Sequence, residues 1–157
     1  QRRHVLEVGS WVGRTALVLA ETIGSPVHVY CVDTFQGSGM GDKTGLLAWK
    51  HGPTKVFQTF CQNIGRHLFK SIFPCKGTSL EWAAIWPPHI PLDLVFIDAG
   101  HQYEQVKADI RAWAPHVRQG GILCGHDYGF ALFPGVQQAV DEFGKDGVDG
   151  MVWYRRL

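Results

Sequence analysis

Short runs of apolar residues alternate along the chain with longer segments in which apolar residues recur every three or four positions. The short runs predict strands, and residues 29–32 and 94–97 are apolar throughout, as expected for strands buried on both faces. The longer segments predict amphipathic helices. The predicted strands are residues 4–8, 27–32, 70–75, 92–97, 121–125 and 151–155, and the predicted helices are residues 14–23, 53–68, 80–85, 102–116 and 135–143.

The alternation of strand and helix is typical of a mostly parallel sheet that helices cover on both faces. We therefore predict an α/β, doubly wound fold in a single domain spanning residues 1–157. One irregular stretch, residues 36–52, interrupts the alternation and contains five glycines. A stretch of this length is either a functional lid or a disordered segment, and the sequence leaves both readings open.

Composition narrows the classes of partner. With 157 residues, 45% of them hydrophobic, and a formal net charge of +1, the chain can bury one sizeable core and has no excess of positive charge for nucleic acid. No apolar stretch approaches the roughly 20 residues that a membrane-spanning helix needs. The cysteines lack C-x-x-C spacing, which indicates buried free thiols in a reducing, cytoplasmic compartment. They are Cys31, Cys61, Cys75 and Cys124.

Polar residues and glycines follow the predicted strands at the points where the strands end. In open parallel sheets, ligands bind beyond the carboxyl ends of the strands, near the point where strand order reverses. A purely structural domain would rarely place acids after several strands, although any one acid could cap a helix. The candidates for binding and catalysis are Gly9, Gly13, Asp33, Asp98, His101, His126 and Asp127.

Residues 7–15, EVGSWVGRT, place two glycines between the first predicted strand and the first predicted helix. The unpaired N–H groups of a helix N-terminus suit a carboxylate or a phosphate. A dinucleotide site favours G-x-G-x-x-G, whereas here Trp11 stands at the second glycine position, which disfavours a pyrophosphate. Asp33 ends the next strand, where a carboxylate can accept hydrogen bonds from both hydroxyls of a ribose.

The pattern Glu7-x-Gly9-x-x-x-Gly13 followed by Asp33 resembles the S-adenosylmethionine site of class I methyltransferases, which have a Rossmann-like fold. The segments 93–113, 120–130 and 134–143 are similar to small bacterial and phage-type members, related to catechol-type O-methyltransferases and to the cephalosporin-hydroxylase-like group. The resemblance implies that the glycine turn meets the methionine half of the cofactor, with Glu7 near its ammonium group, and that Gly77 begins a loop beside the adenine. The implied cofactor-binding residues are Glu7, Gly9, Ser10, Trp11, Gly13, Asp33, Thr34, Gly77, Thr78, Ser79 and Asp98.

The same resemblance implies a catalytic cluster. Catechol-type relatives hold a divalent ion with acidic or amide residues after strands four and five, and Asp98, His126 and Asp127 match those positions, although relatives carry an acid at the position of His126. Two carboxylates and an imidazole would suit Mn, Fe or Zn as well as Mg. His101 falls where relatives keep a lysine base, and an ordinary imidazole can act as a base at neutral pH.

Each of these residues also has a structural reading. His101 could cap or pack at the start of a helix, Asp98 could be a cap, and the His126–Asp127 pair could bind substrate without a metal or serve the fold alone. Trp82 is expected to pack in the core rather than cover the adenine. Tyr103 and Tyr128 could line an acceptor pocket, while Asp109 and Arg111 are expected on a solvated helix face.

The function predicted from these features is S-adenosylmethionine-dependent O-methylation of a small-molecule hydroxyl on a sugar, a phenol or a natural product. The alternatives are a nicotinamide-dependent oxidoreductase and a non-catalytic cofactor-binding module. The chain departs from the pattern because relatives carry helices before the first strand that close over the cofactor, and because a seventh strand is hard to find. Trp153 and Tyr154 lie on the last predicted strand, which, as an exposed edge, could pair in a homodimer.

Overall fold

The computed structural model describes residues 2–36 and 53–157 of the chain. The irregular stretch at 36–52 that we predict from the sequence therefore lies almost wholly outside the described residues. The strands within these ranges are β1 Arg3–Val8, β2 Val27–Asp33, β3 Ile72–Lys76, β4 Leu92–Ile97, β5 Val117–Gly125, β6 Gly147–Asp149 and β7 Val152–Arg156.

These strands form one sheet in the order β3-β2-β1-β4-β5-β7-β6. The strands β1 to β5 run parallel, and β7 pairs antiparallel with both β5 and β6. Strand order reverses between β1 and β4, so the carboxyl ends of these two strands mark the switch point where ligands bind in open sheets. The predicted doubly wound, Rossmann-like sheet is confirmed.

Two hydrophobic clusters cover the two faces of the sheet. One joins α1 and α2 to the first three strands through residues such as Ala16, Phe60 and Val29. The other joins α3, α4 and α5 to the sheet through residues such as Trp113 and Val140. The helices are α1 Arg14–Ile23, α2 Pro53–Ile64, α3 Ser79–Ile85, α4 Tyr103–Trp113 and α5 Pro134–Phe143.

The predicted boundaries differ from the observed ones at a few elements. The α2 and α4 helices end earlier than predicted, because single turns of 3-10 helix, Gly65–His67 and Ala114–His116, replace their last residues. Strand β5 begins at Val117, four residues before the predicted start. The paired glycines at 120 and 121 indicate a boundary in the sequence, but the strand passes through them with an irregularity in its register to β4.

The carboxyl-terminal hairpin corrects two predictions. A seventh strand is present as β6, whose three residues are too few and too polar to give a clear pattern. The terminal strand β7 is therefore not an exposed edge of the described sheet, since it lies between β5 and β6. Trp153 is buried at 1% exposure, so the proposed pairing of this strand with a second subunit is wrong.

None of the helices in the described ranges combines the length and the apolar content that crossing a membrane requires.

Candidate active site

The glycine turn joins β1 to α1 at the carboxyl edge of the sheet. The backbone N–H of Gly9 donates to the carbonyl of Val32 at 2.9 Å, and that of Gly13 donates to Ser10 at 2.7 Å. Gly9, Trp11 and Gly13 all have positive φ, at 90°, 43° and 80°. The turn is thus tight, with three residues at positive φ, and it ends at the N-terminus of α1.

The glycine backbone of this turn packs closely against other parts of the protein. A Cβ added to Gly9 would lie 2.0 Å from the carbonyl oxygen of Asp98, at the end of β4. A Cβ on Gly13 would lie 2.9 Å from side-chain atoms of both Phe60 and Ile64 on α2. Both glycines therefore make room for other parts of the protein, and Gly9 brings the turn against the residue that begins the second cluster of polar side chains.

Gly9→Ala is expected to destabilise the fold by about 2–6 kcal/mol, because backbone strain at positive φ and overpacking each cost about 1–3 kcal/mol. The matched control is Gly24→Ala, since Gly24 also has positive φ but no atom lies within 4 Å of its added Cβ. We expect that control to lose about 1–3 kcal/mol, because only the backbone strain applies there. Urea denaturation of both variants measures the difference, and equal losses would show that the Gly9–Asp98 contact relaxes without cost.

Asp33 connects the end of β2 to the glycine turn. Its Oδ2 accepts the backbone N–H of Trp11 at 2.7 Å, and its Oδ1 accepts that of Phe35 at 2.6 Å. A carboxylate offers about four acceptor positions, so among the described residues roughly two remain for a ligand. The expected juxtaposition of Asp33 and the turn is present. The adjacent Thr34 hydroxyl accepts the backbone N–H of Gln36 at 3.3 Å.

The loop at 77–79 lies beside the same strand end, because the N–H of Gly77 donates to the carbonyl of Asp33 at 3.0 Å. The Thr78 side chain caps α3 by accepting the N–H of Glu81 at 3.3 Å. The Ser79 hydroxyl accepts the indole N–H of Trp113 at 2.9 Å. These two hydroxyls therefore serve the fold, and the loop offers a ligand mainly its backbone.

Glu7 and Ser10 form a buried polar site beneath the turn. Glu7 is 1% exposed and Ser10 is 4% exposed, and neither Oε2 of Glu7 nor Oγ of Ser10 makes a hydrogen bond of normal geometry within the described residues. Burial raises the pKa of Glu7 to about 7. The charges of Asp98 and Asp33 act in the same direction, while the nearby Ser10 hydroxyl and Cys31 thiol act against them.

A second cluster lies at the ends of β4 and β5. The Asp127 carboxylate stands between two imidazoles, with its Oδ2 at 3.0 Å from Nε2 of His101 and its Oδ1 at 3.0 Å from Nδ1 of His126. Asp127 is buried and has a φ of 62°, a conformation that is uncommon outside glycine. Phe133 stacks on the His101 ring, with 3.8 Å between the ring centroids and 9° between the planes. The His101 imidazole is therefore held from two sides.

Asp98 completes this cluster. Ligand atoms of Asp98, His101 and Asp127 all lie within 4.8 Å of one another. Burial raises the pKa of Asp98, the charge of Asp127 raises it further, and the two histidines oppose this shift. The sequence predicts a metal set of Asp98, His126 and Asp127, whereas the group that the described residues bring within ligand distance contains His101 in place of His126.

The family of the chain follows from a comparison with family models. A model described as a methyltransferase domain matches residues 6–128, a span that includes the glycine turn, Asp33 and the Asp98–Asp127 cluster. The chain belongs to this methyltransferase family. The predicted enzyme class, an S-adenosylmethionine-dependent methyltransferase, is thereby confirmed, and the nicotinamide-dependent alternative is set aside.

Solved structures share the fold of this methyltransferase at low sequence identity. The O-methyltransferase NovP is 20% identical, with a TM-score of 0.66 over 98% of this chain and 71% of its own. The calicheamicin methyltransferase CalS11 is 20% identical, with a TM-score of 0.67 over 98% and 72%. A Bacillus cereus O-methyltransferase in complex with SAH is 18% identical, with a TM-score of 0.66 over 99% and 74%. No curated protein matches the chain.

The structure corrects the expected position of Asp109 in this methyltransferase. Asp109 is 6% exposed rather than on a solvated face, while the Arg111 side chain is 71% exposed. The Asp109 carboxylate accepts a hydrogen bond from Ser79, and burial nevertheless raises its pKa to about 6. The spacing of the helix carried a signal for this burial, because Asp109 falls on the face that the apolar residues Val106 and Ile110 share.

Three aromatic residues near the site have roles that only the structure shows. The hydroxyl of Tyr103 donates to Glu142, and that of Tyr128 donates to Asp141 at 2.8 Å, so both hydroxyls are bonded to α5. Phe133, which no motif singled out, provides the ring against His101. Its only sequence signal is its place in an aromatic-rich stretch shortly after Asp127.

Proposed function

We propose that this methyltransferase transfers the methyl group of S-adenosylmethionine to a hydroxyl oxygen of a small molecule. The observation that carries the proposal is the contact between the glycine turn and the histidine–carboxylate cluster at the carboxyl edge of the sheet. Asp33 holds the glycine turn through Trp11, and Gly9 of that turn packs on Asp98 of the histidine–carboxylate cluster. Several of the similar structures are O-methyltransferases by name, including NovP, CalS11 and the Bacillus cereus enzyme, and this supports an oxygen acceptor.

The proposed cofactor site lies along the carboxyl ends of β1, β2 and β3, next to the switch point between β1 and β4. We assign the methionine half to the turn, where backbone N–H groups at the start of α1 suit its carboxylate and the buried oxygen of Glu7 suits its ammonium group. We assign the ribose to the free acceptor positions of Asp33. The adenine then lies against the backbone of the loop at 77–79, which Gly77 ties to β2.

The acceptor chemistry belongs to the second cluster. Methyl transfer from a sulfonium is an in-line displacement, so the protein must position the acceptor oxygen and accept its proton as the new C–O bond forms. We assign His101 as the proton acceptor. Asp127 fixes the imidazole through Nε2 and stabilises its charged form, while the Phe133 ring restricts its rotation. Asp98 lies beside His101 in the same cluster, where its carboxylate can stabilise the charged imidazole.

A divalent cation fits the same three side chains. Two carboxylates and an imidazole within 4.8 Å of one another form a donor set that binds Mn, Fe, Zn or Mg. When bound, such an ion lowers the pKa of a coordinated hydroxyl and fixes its direction. Asp98, His101 and Asp127 would hold it, in which case His101 would be a ligand instead of the proton acceptor, and His126 would orient Asp127 from the opposite oxygen.

Asp33→Asn is expected to weaken the binding of S-adenosylhomocysteine by about 10- to 100-fold. The reason is that hydrogen bonds to a charged group contribute about 1.5–3 kcal/mol. Titration calorimetry measures the affinity, with Asp149→Asn on the exposed part of β6 as the matched control. Wild-type protein that binds NADH but not S-adenosylhomocysteine would contradict the proposed function, and equal affinity in both variants would remove Asp33 from the site.

The metal proposal predicts that EDTA abolishes turnover and that added Mn²⁺ or Mg²⁺ restores it. Asp98→Asn is expected to weaken binding of the added cation by at least 10-fold, since a ligand carboxylate becomes a neutral amide. Titration calorimetry with the cation alone follows this change independently of activity. Turnover that EDTA leaves intact would reject the metal and leave the His101–Asp127 pair to act without one.

A further inference from the structure

We infer that the acceptor is a hydroxyl on an aromatic ring, and that this ring lies against an apolar loop formed by residues 129–133. The inference rests on the proposed function and names the substrate class of that site. The loop follows directly after Asp127 and precedes α5, with the sequence Gly-Phe-Ala-Leu-Phe. It therefore begins at one residue of the catalytic cluster.

Hydrogen bonds fix this apolar loop next to the cluster. The N–H of Phe130 donates to the carbonyl of Asp127 at 3.2 Å, and the N–H of Phe133 donates to Phe130 at 2.9 Å. The ring of Phe133 stacks on His101, and the ring of Phe130 meets that of Phe133 edge-on, with 5.3 Å between centroids and 76° between planes. An unbroken series of rings thus runs from the proposed base to the surface.

The outer part of the apolar loop is exposed. Phe130 is 38% exposed and Leu132 is 70% exposed, although both are large apolar side chains. An apolar patch that adjoins a catalytic group commonly marks a binding surface. An aromatic ring placed there would gain contact area and offset-stacked or edge-on geometry with Phe130.

The side chains of the apolar loop offer no hydrogen bonds. None of the residues 129–133 carries a polar side chain, and the preceding Tyr128 hydroxyl is bonded to Asp141 at 2.8 Å. A sugar would lose hydration of its several hydroxyls on this surface without gaining partners, which is costly. An aryl group has no such groups to satisfy, so the surface discriminates in its favour.

A protein partner fits this surface less well. A stable protein interface buries about 800 Å² on each side, and five residues, four of them exposed, supply only a fraction of that area. The loop instead adjoins His101 and Asp127 directly, as a binding surface for a small acceptor would. We therefore assign the apolar loop to substrate binding.

The test compares two acceptors with the same carbon skeleton, the planar 2-naphthol and the saturated decahydro-2-naphthol, together with methyl glucoside, in the presence of S-adenosylmethionine and Mg²⁺. The variant Phe130→Ala removes the exposed ring. Its matched control is Phe69→Ala. Phe69 is 68% exposed and precedes the edge strand β3, which β2 and β1 separate from the cluster at the ends of β4 and β5. We expect kcat/KM for 2-naphthol to exceed that for decahydro-2-naphthol at least 10-fold, and to fall about 5- to 50-fold in Phe130→Ala only.

Several outcomes would overturn the inference. Preferred turnover of decahydro-2-naphthol or methyl glucoside would exclude an aryl acceptor while leaving the methyltransferase function intact. Unchanged kinetics in Phe130→Ala, or a change in its oligomeric state by light scattering without a change in kinetics, would assign the loop to another role. Absence of S-adenosylhomocysteine binding to wild-type protein would instead contradict the proposed function itself, so the two failures are distinguishable.

Discussion

His101→Ala is expected to lower kcat by about 10²–10⁴-fold, because a positioned general base contributes a factor of this size. The Asp127 carboxylate, which lies 3.0 Å from Nε2 of His101, would then have no imidazole to orient on that side. Affinity for S-adenosylhomocysteine is expected to change little, since the proposed cofactor contacts are made by the glycine turn and Asp33. Single-turnover kinetics with saturating cofactor measure the chemical step separately from binding.

Two further variants make this result specific. His89→Ala is the matched control, because His89 is an exposed histidine in the connection between α3 and β4. His101→Gln retains a hydrogen-bonding side chain for Asp127 but cannot take up a proton, so a base predicts a loss as large as that of alanine. A loss that rising Mn²⁺ concentration relieves would contradict the base assignment and make His101 a metal ligand.

The sequence predicts the architecture well because a parallel sheet leaves a strong pattern. Strand β4 and helix α1 have the predicted bounds, since the first is apolar at nearly every position and the second has regular helical spacing. Strand β6 was missed, and with it the hairpin to the predicted β7, because β6 has three residues and pairs only at the edge. Its stability comes from the burial of Trp153 against the rest of the core, which no local pattern contains.

The candidate site was predicted at the level of strand ends but not of side-chain geometry. The rule that parallel strands share one carboxyl edge suffices to bring Asp33, Asp98 and Asp127 to the same side. It cannot tell which imidazole meets which oxygen, because that depends on the positive φ of Asp127 and on the stacking of Phe133. For the same reason, the capping of α3 by Thr78 was not visible beside its expected role near adenine.

The glycines of the turn have a structural cause that the sequence argument did not include. That argument assigned the turn to a carboxylate or a phosphate of a ligand, and in the structure Gly9 and Gly13 make space for β4 and α2. Close packing of the turn on Asp98 is what sets the distance between the two proposed half-sites. The motif therefore sets the relative placement of the two proposed half-sites through packing within the protein.

Glu7→Gln is expected to remove a fall in stability that the wild-type protein shows between about pH 4.5 and 7. Burial raises the pKa of Glu7 from 4.5 to about 7 in the folded state. Between these values the folded protein binds more protons than the unfolded chain, so the free energy of unfolding decreases as pH rises. A difference of about 2.5 pKa units corresponds to about 3 kcal/mol. Urea denaturation of both proteins at pH 5 and pH 8 measures it.

The comparison isolates Glu7 because other titrating groups are present in both proteins. The buried Asp109, whose pKa is raised to about 6, contributes its own decrease in the same direction, and this cancels in the difference between variant and wild type. Glu104→Gln, at an exposed position on α4, is the matched control and is expected to leave the pH dependence unchanged. A cofactor whose ammonium group pairs with ionised Glu7 should reduce the wild-type fall, since binding then favours loss of the proton. If the wild-type and Glu7→Gln proteins lose the same stability between pH 5 and 8, the Glu7 carboxyl is already ionised in the folded protein at pH 5, and burial does not raise its pKa.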